Sequence, residues 1–183
     1  MEPAPAPNNL SDLGTGFDAF YREQRAKLVA TLNAATRCGA DAATDAVDEA
    51  FVRALANWRR VGRMDAPAGY VFTVARNQLR RTKSRQATER ELVGRRPSTE
   101  VDEGRQPCWE LWDAVATLPE RERMAVALRY LGDLTERQVA EVMRIKPGTV
   151  AATLSSARKR LAALLDDAGD AGADQQEVTS HER

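Results

Sequence analysis

The sequence is poor in the side chains that most chemistry requires. Its 183 residues hold one histidine, His181, and two cysteines. Cys38 and Cys108 stand 70 positions apart with no second thiol near either, so neither a disulfide framework nor a CxxC metal knuckle is written here. No Gly-rich phosphate loop and no Cys/His/carboxylate set with ligand spacing appears. The expectation is therefore no catalytic residue, no cofactor, no metal and no enzyme. No run approaches the roughly 18 uncharged apolar residues of a membrane helix, and the first residues lack the basic start and apolar core of a secretory signal. A soluble, cytoplasmic protein without membrane contact is expected, of one ordinary domain or two small ones.

Net charge is also lacking: 27 Lys and Arg balance 27 Asp and Glu. A nucleic-acid binder usually shows a basic excess. The balance is segregated along the chain, however. Residues 1–52 hold 8 acids and 4 bases, 53–105 hold 6 and 13, 106–165 hold 7 and 9, and 166–183 hold 6 and 1. A total of zero thus conceals strong local fields, positive in the second quarter and negative at both ends.

The opening residues 1–13 are rich in Pro, Ala and Asn, and the acidic 166–183 have almost no large apolar side chains, so both are expected to be disordered. Residues 88–107, with Gly94, Pro97, Gly104 and Pro107, read as a flexible linker. That leaves two small bodies, 14–87 and 108–165, with helical apolar spacing in each. Val47, Phe51, Ala54 and Trp58 fall at i, i+4, i+7 and i+11, and Val71, Ala75 and Leu79 continue an i, i+4 row. Phe17, Phe20, Tyr21, Leu28 and Leu32 define an earlier helix, and Pro67 suits a helix start. No alternating run is long enough for a strand. The fold class is all-α, two small helical domains joined by a linker.

The second body carries the clearest constellation. Pro119 opens a helix that Gly132-Asp133 breaks. Thr135, with Gln138 three residues on, then fits a capping box for a short helix whose inner side is Val139, Ala140, Val142 and Met143. The turn is Arg144-Ile145-Lys146, and Pro147 begins a longer helix with Val150, Leu154, Ala157, Leu161 and Leu164 on one stripe. A short helix, a tight turn and a second helix form a helix-turn-helix, the build that enters a DNA major groove.

The motif order extends the reading. FDAFYREQRAKLV, DAATDAVDEAFVRALANWRRV and DAPAGYVFTVARNQLRRTKSR, followed by LPERERMAVALRYLGDLTERQVAEVM and KPGTV, resemble the bacterial RNA polymerase sigma factors of the extracytoplasmic-function group of the sigma-70 family. The Ala- and Arg-rich composition points to the SigE-like actinobacterial branch. The resemblance covers about residues 17–165. It implies a region 2-like body that docks on core polymerase and reads and melts the minus-ten element, and a region 4-like body for the minus-thirty-five element. The helix Asp41–Trp58 would meet the coiled-coil of the polymerase's largest subunit through Asp45, Asp48, Glu49 and Arg53. Arg59, Arg60, Arg63, Arg76, Arg80, Arg81, Lys83 and Arg85 would neutralise phosphates. Trp58 and Tyr70 bracket the loop Arg59–Gly69, which matches the family loop that captures a flipped base, and Asn77 can pair with a base edge. In the recognition helix, Ala151, Thr153 and Ser156 replace expected basic residues. Arg144, Lys146, Thr149, Ala152, Thr153, Ser156, Arg158 and Lys159 remain the DNA-facing candidates, with backbone contacts falling to Arg144, Lys146, Arg158 and Lys159. The implied partners are core polymerase, through its coiled-coil and flap, promoter DNA, and an anti-sigma factor.

Two alternatives share parts of this pattern. A LuxR-like regulator has a similar helix-turn-helix but no polymerase docking, and its first body would alternate strands and helices, which residues 17–85 do not. A polymerase-binding helical adaptor would leave Asn77 and the arginine series without a role.

Overall fold

The computed structural model describes residues 10–93 and 109–177, with side chains placed over 16–85 and 111–165. Cys108, most of the linker and His181 lie outside the described residues. Among the described residues every regular element is helical: α1 (Leu10–Thr36), α2 (Ala40–Ala56), α3 (Trp58–Val61), α4 (Pro67–Val93), α5 (Trp109–Thr117), α6 (Glu120–Val126), α7 (Glu136–Met143) and α8 (Pro147–Glu177). The all-α expectation is met. Helices α4 and α8 run past the boundaries that composition suggested, to Val93 and Glu177. No breaker precedes Gly94, and the Ala and Gln residues of the acidic stretch favour helix enough to offset Gly169 and Gly172.

The first body forms because three apolar stripes meet. Ala43, Ala46, Val47, Ala50, Phe51 and Ala54 make one buried face of α2, their spacing of three and four residues keeping them on one side of the helix. Its alanines let α1 and α4 approach closely, so Leu28, Leu32 and Ala35 of α1 and Val71, Phe72, Ala75 and Leu79 of α4 are buried against it. Each fully buried Phe or Leu contributes about 2 kcal/mol. The end of α1 is turned by Arg37, at φ 51°, and Gly39, at φ 89°, with Asn33 Oδ1 accepting from the Gly39 amide at 3.0 Å.

In the second body α6 ends by widening. Over Ala127–Leu131 the backbone shifts to π-type pairing, and the Gly132 amide reaches back to Ala127 O at 3.0 Å. The Leu134 amide then donates to Leu128 O at 3.1 Å, which folds the chain tightly under the helix end. α7 starts with the expected capping box: the Gln138 amide donates to Thr135 Oγ1 at 3.3 Å, and the Thr135 amide to Gln138 Oε1 at 2.9 Å. Arg144, left-handed at φ 56°, makes the turn into α8. Val150, Leu154 and Ala157 are buried on the α8 stripe, and Leu161 is half-buried. Leu164 departs from expectation. It is exposed, because α8 has by then outrun the helices it packs on.

The two bodies are not separate beads. α1 also lies against α5, α6 and the π segment, α4 lies against α7, and one hydrophobic cluster runs through both halves.

Gly132 is required by this geometry, since a Cβ there would stand 2.8 Å from the backbone Leu128 O. Gly132→Ala should therefore lower unfolding free energy by about 2 kcal/mol, read as a fall in the urea midpoint at unchanged slope. An unchanged midpoint would show that the π turn relaxes at no cost.

Candidate nucleic-acid interface and polymerase face

The basic surface of the first body is built by α3 and α4. Arg59, Arg60 and Arg63 are exposed around the turn between them, as are Asn77, Arg80, Arg81, Lys83 and Arg85 along α4, while Tyr70 and Arg76 are half-buried. Arg76, Arg80 and Lys83, at i, i+4 and i+7, line a cleft of about 530 Å³ with Thr36, Leu79, Glu120 and Arg123. Helical spacing thus gathers three cations on one face, with Glu120 and a fourth cation, Arg123, opposite, a charge balance that attracts phosphate-bearing ligands.

The turn is shorter than the sequence suggested. Arg59–Val61 belong to α3 and α4 begins at Pro67, so only residues 62–66 are irregular. Trp58 also departs from expectation. Its ring centroid lies 5.2 Å from Phe17 and 5.1 Å from Phe20, within a cluster that also includes Tyr21 and Phe51. One edge-to-face and one tilted partner pack it, half-buried, against the core, and a Cβ on Gly62 would touch the ring at 3.1 Å. Trp58 therefore sets the base of the turn. Asp65 and Gly69, which follow, are met by α7. Arg137 pairs with Asp65 Oδ2 at 2.8 Å, and Gln138 Nε2 donates to Asp65 O at 2.8 Å.

On the helix-turn-helix, Arg144, Lys146, Thr149, Ala152, Arg158 and Lys159 are exposed, and Ala151 and Thr153 are half-buried. Thr153 Oγ1 donates to Thr149 O at 2.7 Å. Ser156 is removed from this set, because its Oγ donates to Glu122 Oε1 of α6 at 2.9 Å. Arg160 approaches the same carboxylate, its Nε 3.3 Å from Oε1 and 3.2 Å from Oε2, although only the Oε1 approach has hydrogen-bond alignment and Oε2 has no hydrogen-bond partner. Replacing a basic residue by serine at 156 thus supplies a tie between α6 and α8.

The α2 face opposite the buried stripe carries Asp45, Glu49 and Arg53, the last two joined as an i, i+4 pair at 3.0 Å. Asp48 leaves this acidic set. It takes Arg25 of α1 in a bidentate pair, both contacts 2.7 Å. That hydrogen bonding raises the Arg25 pKa. Two residues that the sequence reading passed over complete the face: Val52 and Leu55 are 63% and 52% exposed. Their signal was present as large apolar side chains off the buried stripe, beside an acidic row. Among the described residues no group of His, Cys, Asp and Glu is arranged to hold a metal ion.

The described residues define an all-helical fold with a cationic surface on the first body, an acidic face with two exposed apolar side chains on α2, and a helix-turn-helix. Comparison with known sequences narrows that class. The family profile described as "Sigma-70 region 2" matches residues 20–89, and that of "Sigma-70, region 4" matches residues 108–161. The chain belongs to the sigma-70 family, with the two-region build of its extracytoplasmic-function group. A curated relative, "Uncharacterized protein R00370" of Rhizobium meliloti (strain 1021), is 27% identical over 138 residues, 67% of this chain. The chain spans about a third (33%) of that protein's length. Among solved structures, the sigma factor RpoE of Bartonella quintana, in complex with the anti-sigma factor NepR, matches with a TM-score of 0.65 at 20% identity, covering 82% of this chain and 96% of that one. At that identity the likeness concerns the fold.

The Glu122 cluster gives a direct test of the α6–α8 tie. Glu122→Ala should cost about 1–2 kcal/mol of stability and Ser156→Ala less than about 1, measured by urea unfolding. Equal midpoints for wild type and Glu122→Ala would mean that solvent already satisfies these groups.

Proposed function

We propose that the chain acts as a sigma factor, a dissociable specificity subunit rather than a catalyst, that binds core RNA polymerase and directs promoter-specific initiation. The observation that carries this reading is the juxtaposition in one helical body of two chemically distinct surfaces. The α2 face of Asp45, Glu49, Val52, Arg53 and Leu55 has the mixed charge and exposed apolar area of a docking site. The α3–α4 surface has the cluster of exposed cations and the exposed Asn77 suited to DNA. On this reading α2 meets the coiled-coil of the largest subunit. Arg59, Arg60, Arg63, Arg76, Arg80, Arg81 and Lys83 steer phosphates, Tyr70 and the short turn receive a displaced base, and Asn77 reads a base edge. The helix-turn-helix body adds the polymerase flap and the minus-thirty-five duplex, with Arg144, Lys146, Arg158 and Lys159 on the backbone and Thr149, Ala152 and Thr153 nearest the bases.

No helix among the described residues is long and apolar enough to cross a membrane, which accords with work on polymerase in the cytoplasm. The complex of RpoE with NepR supports an anti-sigma factor as a further partner. A LuxR-like alternative is weakened by the first body, which is helical throughout its described residues.

Added to core polymerase, the chain should yield promoter-specific run-off transcripts; absence of core binding would sink the proposal. Asn77→Ala should shrink the permanganate-reactive bubble while leaving initial duplex binding within about twofold, and an undiminished bubble would remove Asn77 from melting. Lys146→Ala should lower the slope of log affinity against log salt by about one unit. Ser156→Ala should leave that slope unchanged, and a slope that falls equally for both would return Ser156 to the DNA face.

A further inference from the structure

The cleft walled by α4 and α6 holds more positive charge than a strand of DNA lying along α4 would use. Four cations and one carboxylate line it: Arg76, Arg80 and Lys83 from α4, with Arg123 and Glu120 from α6 opposite. Seven residues of helix separate Arg76 from Lys83, about 10 Å along the axis. A chain of linked phosphates matches such a row better than a single phosphate does. Arg123 supplies the far wall, where it is half-buried. Its Nε and Nη1 are given to Ala35 O, Ala116 O and Leu118 O, and none of those bonds uses Nη2. Burial and then the nearby Arg37 lower its pKa, and Glu120 opposes them. A cation in such a position gains more from an anion than an exposed one does, because less water screens the pair.

A duplex does not fit this space. A cleft of about 530 Å³ is about 8 Å across if compact, and the major groove of B-DNA alone is about 12 Å wide. Phosphates of a duplex laid along α4 therefore meet the exposed Arg80 and Lys83 but do not enter as far as Arg123. A volume of this size is that of a small-molecule site. Leu79, 8% exposed, is the single apolar side chain among the lining residues. A base or a ribose finds no apolar wall there, so recognition falls to phosphate.

We propose that the cleft is a binding site for a linear triphosphate, carried by a nucleotide or free as the inorganic chain, held by Arg76, Arg80, Lys83 and Arg123. Guanidinium and ammonium groups on phosphate oxygens make the strong class of hydrogen bond. Glu120 repels any anion that enters, so one of low charge gains little. Where the sigma-factor reading holds, on which this second step rests, the occupant also withholds Arg76, Arg80 and Lys83 from promoter DNA, and the two ligands compete.

The test is calorimetric titration of the full-length chain with sodium tripolyphosphate, ATP and orthophosphate, without divalent metal and at matched ionic strength. Tripolyphosphate should bind about tenfold more tightly than orthophosphate, or better. Lys83→Ala should weaken tripolyphosphate about tenfold, while Lys27→Ala, which removes a cation about two and a half turns back along α1 from Thr36, should leave it within about twofold. Glu120→Gln lies outside the proposed docking and DNA-facing sets. It should tighten tripolyphosphate about threefold, a gain that a damaged fold does not produce. Tripolyphosphate no tighter than orthophosphate, equal losses in Lys83→Ala and Lys27→Ala, or no gain in Glu120→Gln overturns the site. ATP within about threefold of tripolyphosphate supports recognition of the triphosphate from either source, and a weaker ATP assigns the site to the inorganic chain. ATP more than about tenfold tighter overturns recognition by phosphate alone. In run-off transcription with the chain preincubated in tripolyphosphate, half-inhibition of Glu120→Gln should need about threefold less ligand than wild type, and equal inhibition overturns the competition. A wild-type chain that binds no core defeats the sigma-factor reading instead, while the titrations still judge the site.

Discussion

One guanidinium fixes how the two bodies sit together. Arg123 of α6 donates through Nε to Ala35 O at the end of α1 at 3.2 Å, and through Nη1 to Leu118 O at 2.9 Å and Ala116 O at 3.4 Å, at the end of α5. The last carbonyls of a helix lack partners within it and carry its negative dipole end, so a single cation satisfies two helix ends from different halves of the chain. Burial lowers the Arg123 pKa, and nearby Arg37 adds to that. The interaction is a half-buried charge held by neutral acceptors, strong only while both helix ends are present. With α6 anchored to α1, the chain leaving α6 turns at Gly132 and Leu134, and α7 is carried onto α4.

That dependence explains which parts of the molecule could be read from its residues alone. The α2 stripe, the Thr135–Gln138 cap, the Pro147 start and the Val150–Leu154–Ala157 row are set by neighbours within one or two turns, and each stands in the structure as its spacing implies. What escaped were interactions between residues far apart in sequence. Arg25 finds Asp48 at a separation of 23 residues, Arg137 finds Asp65 at 72, and Arg123 finds Ala35 at 88. No periodicity encodes these pairs, and the first bears on a functional assignment. Asp48 is tied to Arg25, and Ser156, again through a distant partner, is tied to Glu122. The packing of Trp58 escaped for a related reason. An aromatic residue at a helix end has the same local signature whether it faces solvent or, as here, packs half-buried against Phe17 and Phe20.

The uneven charge along the chain has a counterpart in space. The acids of α2 that stay accessible, Asp45 and Glu49, and the cations of α4 belong to one body whose core is nearly free of charge. On the proposed reading, opposite fields on two surfaces of one body let it carry two partners without mixing their sites. The second body contributes fewer excess cations, and part of those are spent internally, as Arg123 and Arg160 show.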